Sequence, residues 1–118
     1  MELRTIFKIP PSDVRITYSD PVMFIGSCFA TSIGKQLESG HMPVMINPAG
    51  TVYNPVSVCN TINTITSGEK YKISDLHNNK GTWLSFDYYT DYSSDDPEAV
   101  LEKINRKIDE AANFIHGA

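Results

Sequence analysis

The sequence predicts an α/β protein in which helices cover a parallel sheet. The first observation is an unbroken apolar run at residues 22–25, which is typical of a strand buried on both faces of such a sheet. The second is the segment 29–38, which follows with apolar side chains at helical spacing. The third is the order of the later elements, which continues as strand, helix, middle hairpin or loop, and helix. A length of 118 residues, 41% of them hydrophobic, suits a single domain.

Two extended pieces are predicted before the apolar run. Residues 5–9 have the composition of a short strand, and the Pro-Pro-Ser-Asp sequence after them separates them from a second extended piece at residues 14–18. Residues 19–21 then form a predicted turn. Gly26 ends the apolar run, so the first helix is expected to start just after it.

A second strand and a second helix are predicted after Gly40, which is placed to end the first helix. The apolar residues 43–46 form the strand, and a loop with two Asn-Pro pairs follows. We expect Asn54 to cap the second helix, Pro55 to lie in its first turn and Gly68 to end it. Its predicted apolar face consists of Val58, Ile62 and Ile65 or Thr66.

The middle of the chain has a weaker pattern. Residues 71–76 and 83–89 are predicted as short strands or extended loop around a turn at residues 78–81, with a hairpin as one arrangement. The aromatic residues here are expected either to line a sugar or acyl site or, in the simpler interpretation, to pack in the core. They are Trp83, Phe86, Tyr88, Tyr89 and Tyr92.

The last helix has the clearest signals in the chain. Asp95 or Asp96 caps it, Pro97 takes its first position and Gly117 lies just past its end. Its predicted apolar face consists of Val100, Leu101, Ile104, Ile108, Ala111, Ala112 and Ile115. In a parallel sheet, a helix of this kind normally leads into a further strand. No such strand is predicted after this helix, so the predicted sheet is incomplete. We therefore expect residues 1–118 to be the N-terminal portion of one longer domain, incomplete at the C-terminus.

Composition excludes several classes of function. Ten basic residues against fourteen acidic ones, with a net charge of -4, argue against a nucleic-acid partner. No apolar run approaches the roughly 18 residues of a membrane span, and the first eight residues do not resemble a signal peptide, so we expect no membrane partner and a cytoplasmic location. We also expect no metal and no nucleotide cofactor, because neither ligand spacing nor a glycine-rich phosphate motif is present. Without an export signal, Cys28 and Cys59 are expected to be free thiols.

The turn Gly26-Ser27-Cys28 contains the two candidate nucleophiles of the chain, Ser27 and Cys28. A nucleophile between a buried strand and a helix gains exposure, backbone N–H groups near the reacting carbonyl and the positive end of the helix dipole. A cysteine at the helix start is favoured as its thiolate, which makes Cys28 the better nucleophile of the pair. The simpler interpretation is that Cys28 is a small buried residue and Ser27 a helix cap.

The same turn resembles a known family. The pentapeptide 26–30 spells the motif of the GSCFA family, and the loop 47–55 resembles a later feature of that family in the right order. The family is similar to SGNH (GDSL-type) hydrolases, which implies a three-layer α/β/α, flavodoxin-like sandwich with a parallel sheet. The resemblance aligns Cys28 with the nucleophilic serine, and a shift of one residue would favour Ser27 instead.

The resemblance also implies an oxyanion site. SGNH-like enzymes use a glycine N–H and an asparagine side chain, and in this chain Gly50 with Asn47 or Asn54 follows the second strand; Gly26 belongs to the same predicted site. The alternative is a rigid turn made by the two Asn-Pro pairs, with the glycine allowing a positive φ.

The function expected from the resemblance is hydrolysis or acyl transfer at an ester bond of a carbohydrate or other small molecule. The catalytic histidine of such enzymes comes from a segment near their C-terminus, and His41, His77 and His116 are expected to have surface or capping roles. The chain by itself is therefore expected to be inactive. A non-catalytic binding or structural α/β module is the competing interpretation.

Overall fold

Two apolar runs and the helix between them form a β-α-β unit. The computed structural model describes residues 2–116, and in it β1 (Val22–Phe24), α1 (Cys28–Ser39) and β2 (Val44–Ile46) follow one another. The two strands pair in parallel along all of their length. The predicted strands, the helix between them and its end at Gly40 are confirmed.

The burial predicted for the first strand is wrong. Helix α1 lies close against the sheet at Gly34, where a Cβ would come within 2.7 Å of Ile46 Cγ1. Yet the side chains of both strands are only half-buried. The described residues give this sheet two strands, and a two-stranded sheet leaves both of its outer edges open.

The starts of the two other helices, and the end of α2, lie where the capping residues predict. α2 spans Pro55–Ser67 and ends at Gly68, which has a left-handed φ of +68°. α3 spans Pro97–His116, and Asp96 rather than Asp95 supplies its cap, since Asp96 Oδ1 accepts a hydrogen bond from the Glu98 N–H at 3.0 Å. The predicted stop at Gly117 falls outside the described residues. Within residues 2–116, no helix is long and apolar enough to cross a membrane.

The middle of the chain forms a hairpin smaller than the predicted strands. β3 (His77–Asn79) and β4 (Thr82–Leu84) pair antiparallel, as predicted for a turn at residues 78–81. The strand predicted at 71–76 is wrong, because this segment contains a 3₁₀ turn at Ile73–Asp75. The Asp75 carboxylate accepts a hydrogen bond from the Lys72 N–H at 2.8 Å. This backbone donor is therefore satisfied within the segment and not by a neighbouring strand.

The two extended pieces predicted near the N-terminus are not strands. No strand of the described structure pairs with residues 5–9 or 14–18, and an isolated extended segment has nothing to hold it as a strand. Their apolar side chains are exposed. A turn follows, closed by a hydrogen bond from the Asp20 N–H to the Thr17 carbonyl at 3.2 Å, and it begins earlier than predicted.

The core lies between α3, α2 and the hairpin. Its buried members are Ala49, Leu76, Tyr88, Val100, Ile104 and Ile108. The apolar face predicted for α3 is confirmed at Val100, Ile104, Ile108 and Ala111, whereas Ile115 is exposed.

The face predicted for α2 is only partly right. Ile65 is buried, but its buried neighbours on the helix are Ser57 and Thr61 rather than Val58 and Ile62. The Thr61 hydroxyl donates to the Ser57 carbonyl at 2.8 Å, so this polar group is satisfied without water. Val58 and Ile62 instead line a groove on the surface beside α2.

Candidate active site

The turn between β1 and α1 has the predicted form. Gly26 adopts a φ of +157°, and Ser27 is the N-cap, with its Oγ accepting a hydrogen bond from the Phe29 N–H at 3.4 Å. Cys28 is the first residue of the helix and its side chain is exposed, so the interpretation of Cys28 as a small buried residue is wrong. The capping interpretation of Ser27 is confirmed.

Two backbone donors at the helix start are unused. Within residues 2–116, the N–H groups of Ser27 and Cys28 donate to no protein atom. The first N–H groups of a helix have no partner inside it, and together they form the positive end of the helix dipole. The turn therefore offers two free donors beside an exposed thiol, an arrangement that can stabilise a developing oxyanion.

Asn47 holds the turn in place. Its Oδ1 accepts a hydrogen bond from the Gly26 N–H at 2.8 Å, and its Nδ2 donates to the Thr31 Oγ1 at 2.8 Å. The Asn47 N–H also donates to the Phe24 carbonyl at 2.7 Å. Both ends of this amide are thus engaged by the chain, and Asn47 acts here as a positioning residue for the turn.

Gly50 lies in a tight turn against Tyr89, the residue before the 3₁₀ segment Thr90–Tyr92. Its N–H donates to the Asn47 carbonyl at 2.8 Å, and its φ is +79°. A Cβ at this position would lie 2.4 Å from Tyr89 Cβ. The geometry agrees with the rigid-turn interpretation, since both the positive φ and the close contact require glycine.

Asn54 is the N-cap of α2, as predicted. Its Oδ1 accepts the Ser57 N–H at 2.8 Å and its Nδ2 donates to the Ser57 Oγ at 3.0 Å. Among the residues predicted to form the oxyanion site, Asn47 is hydrogen-bonded to the turn at Gly26. Asn54 and Gly26 line one groove, whereas Gly50 lines a different one.

A groove of about 580 Å³ runs from the turn along α2. We call it the apolar groove; it is lined by Gly26, Ser27, Val52, Tyr53, Asn54, Pro55, Val58, Cys59, Ile62 and Asn63. Cys28 lies outside this lining. The contribution of α2 to this groove was not predicted from the sequence, although the i, i+3, i+4 spacing of Cys59, Ile62 and Asn63 places them on one helical face.

The histidines lie away from the apolar groove. Among the described residues that line it, none is a histidine. His41 follows α1 with a φ of +63°, His77 is exposed on β3, and His116 is exposed at the end of α3. The surface positions expected for these residues are therefore confirmed.

The comparisons with known proteins identify one family. The family model described as "GSCFA family" matches residues 21–118, a stretch that includes the turn, Asn47 and all three helices. The resemblance predicted from the sequence is confirmed. No curated protein and no solved structure matches the chain.

Proposed function

Because this chain belongs to the GSCFA family, we propose that it forms part of an SGNH-like hydrolase or acyltransferase that acts on ester bonds. Cys28 is the proposed nucleophile, and Ser27 is the alternative. The observation that carries the proposal is the exposed Cys28 thiol at the start of α1, beside the two free N–H groups of the turn.

The proposed reaction starts with attack of the Cys28 thiolate on the ester carbonyl carbon. A C–S bond forms, the carbonyl electrons move to oxygen, and the resulting oxyanion accepts hydrogen bonds from the free N–H groups of Ser27 and Cys28. When the carbonyl re-forms, the C–O bond breaks and the alcohol leaves with a proton from a general acid. Water or a second alcohol then takes the acyl group from sulfur, which gives hydrolysis or transfer respectively.

The groove and the fold support the same proposal. The apolar groove begins at Gly26 and Ser27, and its lining suits the acyl chain of a small-molecule or carbohydrate ester. The β1-α1-β2 unit has two parallel strands joined by a helix, which is the basic building unit of a parallel sheet. We therefore propose that the complete domain is a three-layer α/β/α sandwich, in which the general acid is a histidine outside residues 1–118.

An activated ester tests the first half of this reaction, because p-nitrophenolate leaves without a proton. We expect p-nitrophenyl acetate to acetylate Cys28 at least about tenfold faster than Cys59, since the turn N–H groups stabilise the oxyanion at one site only. Intact-mass spectrometry and peptide mapping measure the two rates in the same molecule. Cys59, also an exposed thiol, is the internal control.

Substitutions separate the candidates. Cys28→Ser should abolish the fast acetylation, and the slow acetylation of Cys59 should persist in this variant. If Ser27→Ala rather than Cys28→Ser removes the fast phase, the nucleophile is Ser27. Equal rates at the two cysteines, with no acetyl group on Ser27, would contradict the enzyme proposal.

A non-catalytic α/β module is the second candidate. Three of the predicted site residues have structural roles, which favours this candidate. Ser27 and Asn54 cap helices, and the Asn47 amide hydrogen-bonds within the protein through both its oxygen and its nitrogen. Slow and equal acetylation of the two cysteines is the result that it predicts.

A further inference from the structure

A second groove adjoins the apolar groove at Asn63, which lines both. Its volume is about 640 Å³, and α2, the segment 69–75, His77 and residues 85–87 contribute to its walls. We call it the polar groove. The residues on which its binding properties depend are Asn60, Asn63, Tyr71, His77, Phe86 and Asp87.

Hydrogen-bonding groups of both kinds lie side by side in the polar groove. The Asn60 Nδ2 is 3.2 Å from each carboxylate oxygen of Asp87, and the Asn63 amide lies one helical turn further along α2. An amide beside a carboxylate presents donors and acceptors within one small area. Adjacent hydroxyl groups of a sugar require this combination, because each hydroxyl both donates and accepts.

The polar groove also contains an exposed aromatic ring. Phe86 is 73% exposed, although its ring centroid lies 4.2 Å from that of His77. Its backbone is anchored on α2, since the Ser57 Oγ donates to the Phe86 carbonyl at 3.4 Å. An exposed aromatic ring beside hydrogen-bonding groups suits a sugar, because its flat face matches the C–H face of a sugar ring.

The charges in the polar groove disfavour an anionic ligand. Its lining contains three carboxylates, those of Glu69, Asp75 and Asp87, and two ammonium groups, those of Lys70 and Lys72. The Lys70 ammonium is moreover paired with the Asp109 carboxylate. The polar groove therefore has no excess of positive charge with which to hold a phosphate or a carboxylate ligand.

We propose that the polar groove binds a neutral sugar, and that it thereby holds the carbohydrate part of an acylated substrate beside the apolar groove. The second part rests on the proposed function.

An NMR titration of the 118-residue chain with cellobiose, xylobiose and chitobiose tests the first part. We expect saturable shifts of the Asn60 and Asn63 side-chain amides with at least one disaccharide, at a dissociation constant on the order of millimolar.

Phe86→Ala should weaken this binding at least about threefold through loss of the aromatic face, and Phe86→Tyr should retain it. Tyr18→Ala is the matched control, because Tyr18 is an exposed aromatic residue that lines neither groove. The same spectra report whether each variant is folded.

Three results would overturn the inference: no saturation with any of the three disaccharides, equal affinity in Phe86→Ala, or shifts of the same amides by inorganic phosphate but by no disaccharide. The titration measures binding alone and does not depend on acylation. Binding of the disaccharide without acetylation of Cys28 would contradict the proposed function alone, and acetylation without disaccharide binding would contradict the sugar site alone.

Discussion

Single residues at the turn have roles that their chemical type leaves ambiguous. Asn47 is suited to an oxyanion site or to a turn, and its two amide hydrogen bonds, to the Gly26 N–H and the Thr31 hydroxyl, assign it to holding the turn. A left-handed φ of +43° at Asn47 agrees with this, since asparagine tolerates that conformation better than most residues. The turn that carries the proposed nucleophile is thus held by a residue that lies 21 positions after Gly26 in the sequence.

The substitution Gly50→Ala tests how closely the 47–55 loop approaches the 3₁₀ segment. We expect it to lower the free energy of unfolding by about 2–4 kcal/mol, because a methyl group meets Tyr89 Cβ and the φ of +79° is strained for alanine. Urea denaturation measures the loss. Gly68→Ala is the matched control: Gly68 has a similar φ of +68° but no atom within 4 Å of an added Cβ, so it should cost only about 1–2 kcal/mol. Equal losses in the two variants would show that the contact with Tyr89 is absent.

The helices differ in how far local sequence decides their packing. α3 has an apolar face at regular helical spacing, and that face is the one it buries. α2 instead buries Ser57, Thr61 and Ile65, because hydrogen bonds satisfy its hydroxyl groups in the core. Its apolar Val58 and Ile62 are thereby left to line the groove that reaches the turn.

Substitutions on α3 measure this helix's contribution to the core. Ile104 is fully buried, so we expect Ile104→Ala to lower the free energy of unfolding by about 3–4 kcal/mol through lost burial and a residual cavity. Ile115 lies on the same helix but is 42% exposed, and Ile115→Ala should cost less than about 1 kcal/mol. Thermal and urea denaturation of the two variants provide the comparison. A loss at Ile115 as large as that at Ile104 would mean that the end of α3 is covered.

At the scale of the whole molecule, three tyrosines from the segments before and after the hairpin pack together at the core. The rings of Tyr71 and Tyr92 each lie edge-on to that of Tyr88, with centroids 5.5 and 5.1 Å away. Burial raises the pKa of all three hydroxyl groups above the ordinary value of 10.0, most strongly for Tyr88. A raised folded-state pKa gives stability that is complete below pH 10.0 and is lost as the pH rises through the folded-state values.

We therefore expect the free energy of unfolding to fall as the pH rises above 10.0, by up to about 1.4 kcal/mol per pH unit for each tyrosine that ionises only on unfolding. Tyr88→Phe should make this decline less steep, because phenylalanine has no proton to lose. Urea denaturation at about pH 8 and about pH 11 measures the difference. Tyr18→Phe, at an 84% exposed ring, is the control and should decline like the unaltered chain. Identical slopes in Tyr88→Phe and the unaltered chain would contradict burial of the Tyr88 hydroxyl.

The sequence by itself determined the local features of this protein. Glycine, proline and capping residues predicted the three helices and the hairpin turn, because these residue types act within one turn of the backbone. The same local chemistry predicted the turn that ends β1, with Ser27 as cap and Cys28 at the helix start. The pentapeptide 26–30, the loop 47–55 and the spacing between them were together sufficient to identify the family.

Only the tertiary structure decided which residues meet. It joined Asn47 to the turn, directed Gly50 towards Tyr89, and left residues 5–9 and 14–18 without strand partners. It also placed one face of α2 along the two grooves that adjoin at Asn63. The physical reason is that long-range contacts depend on how elements pack and on which hydrogen bonds that packing satisfies, and neither is encoded within one turn of the chain.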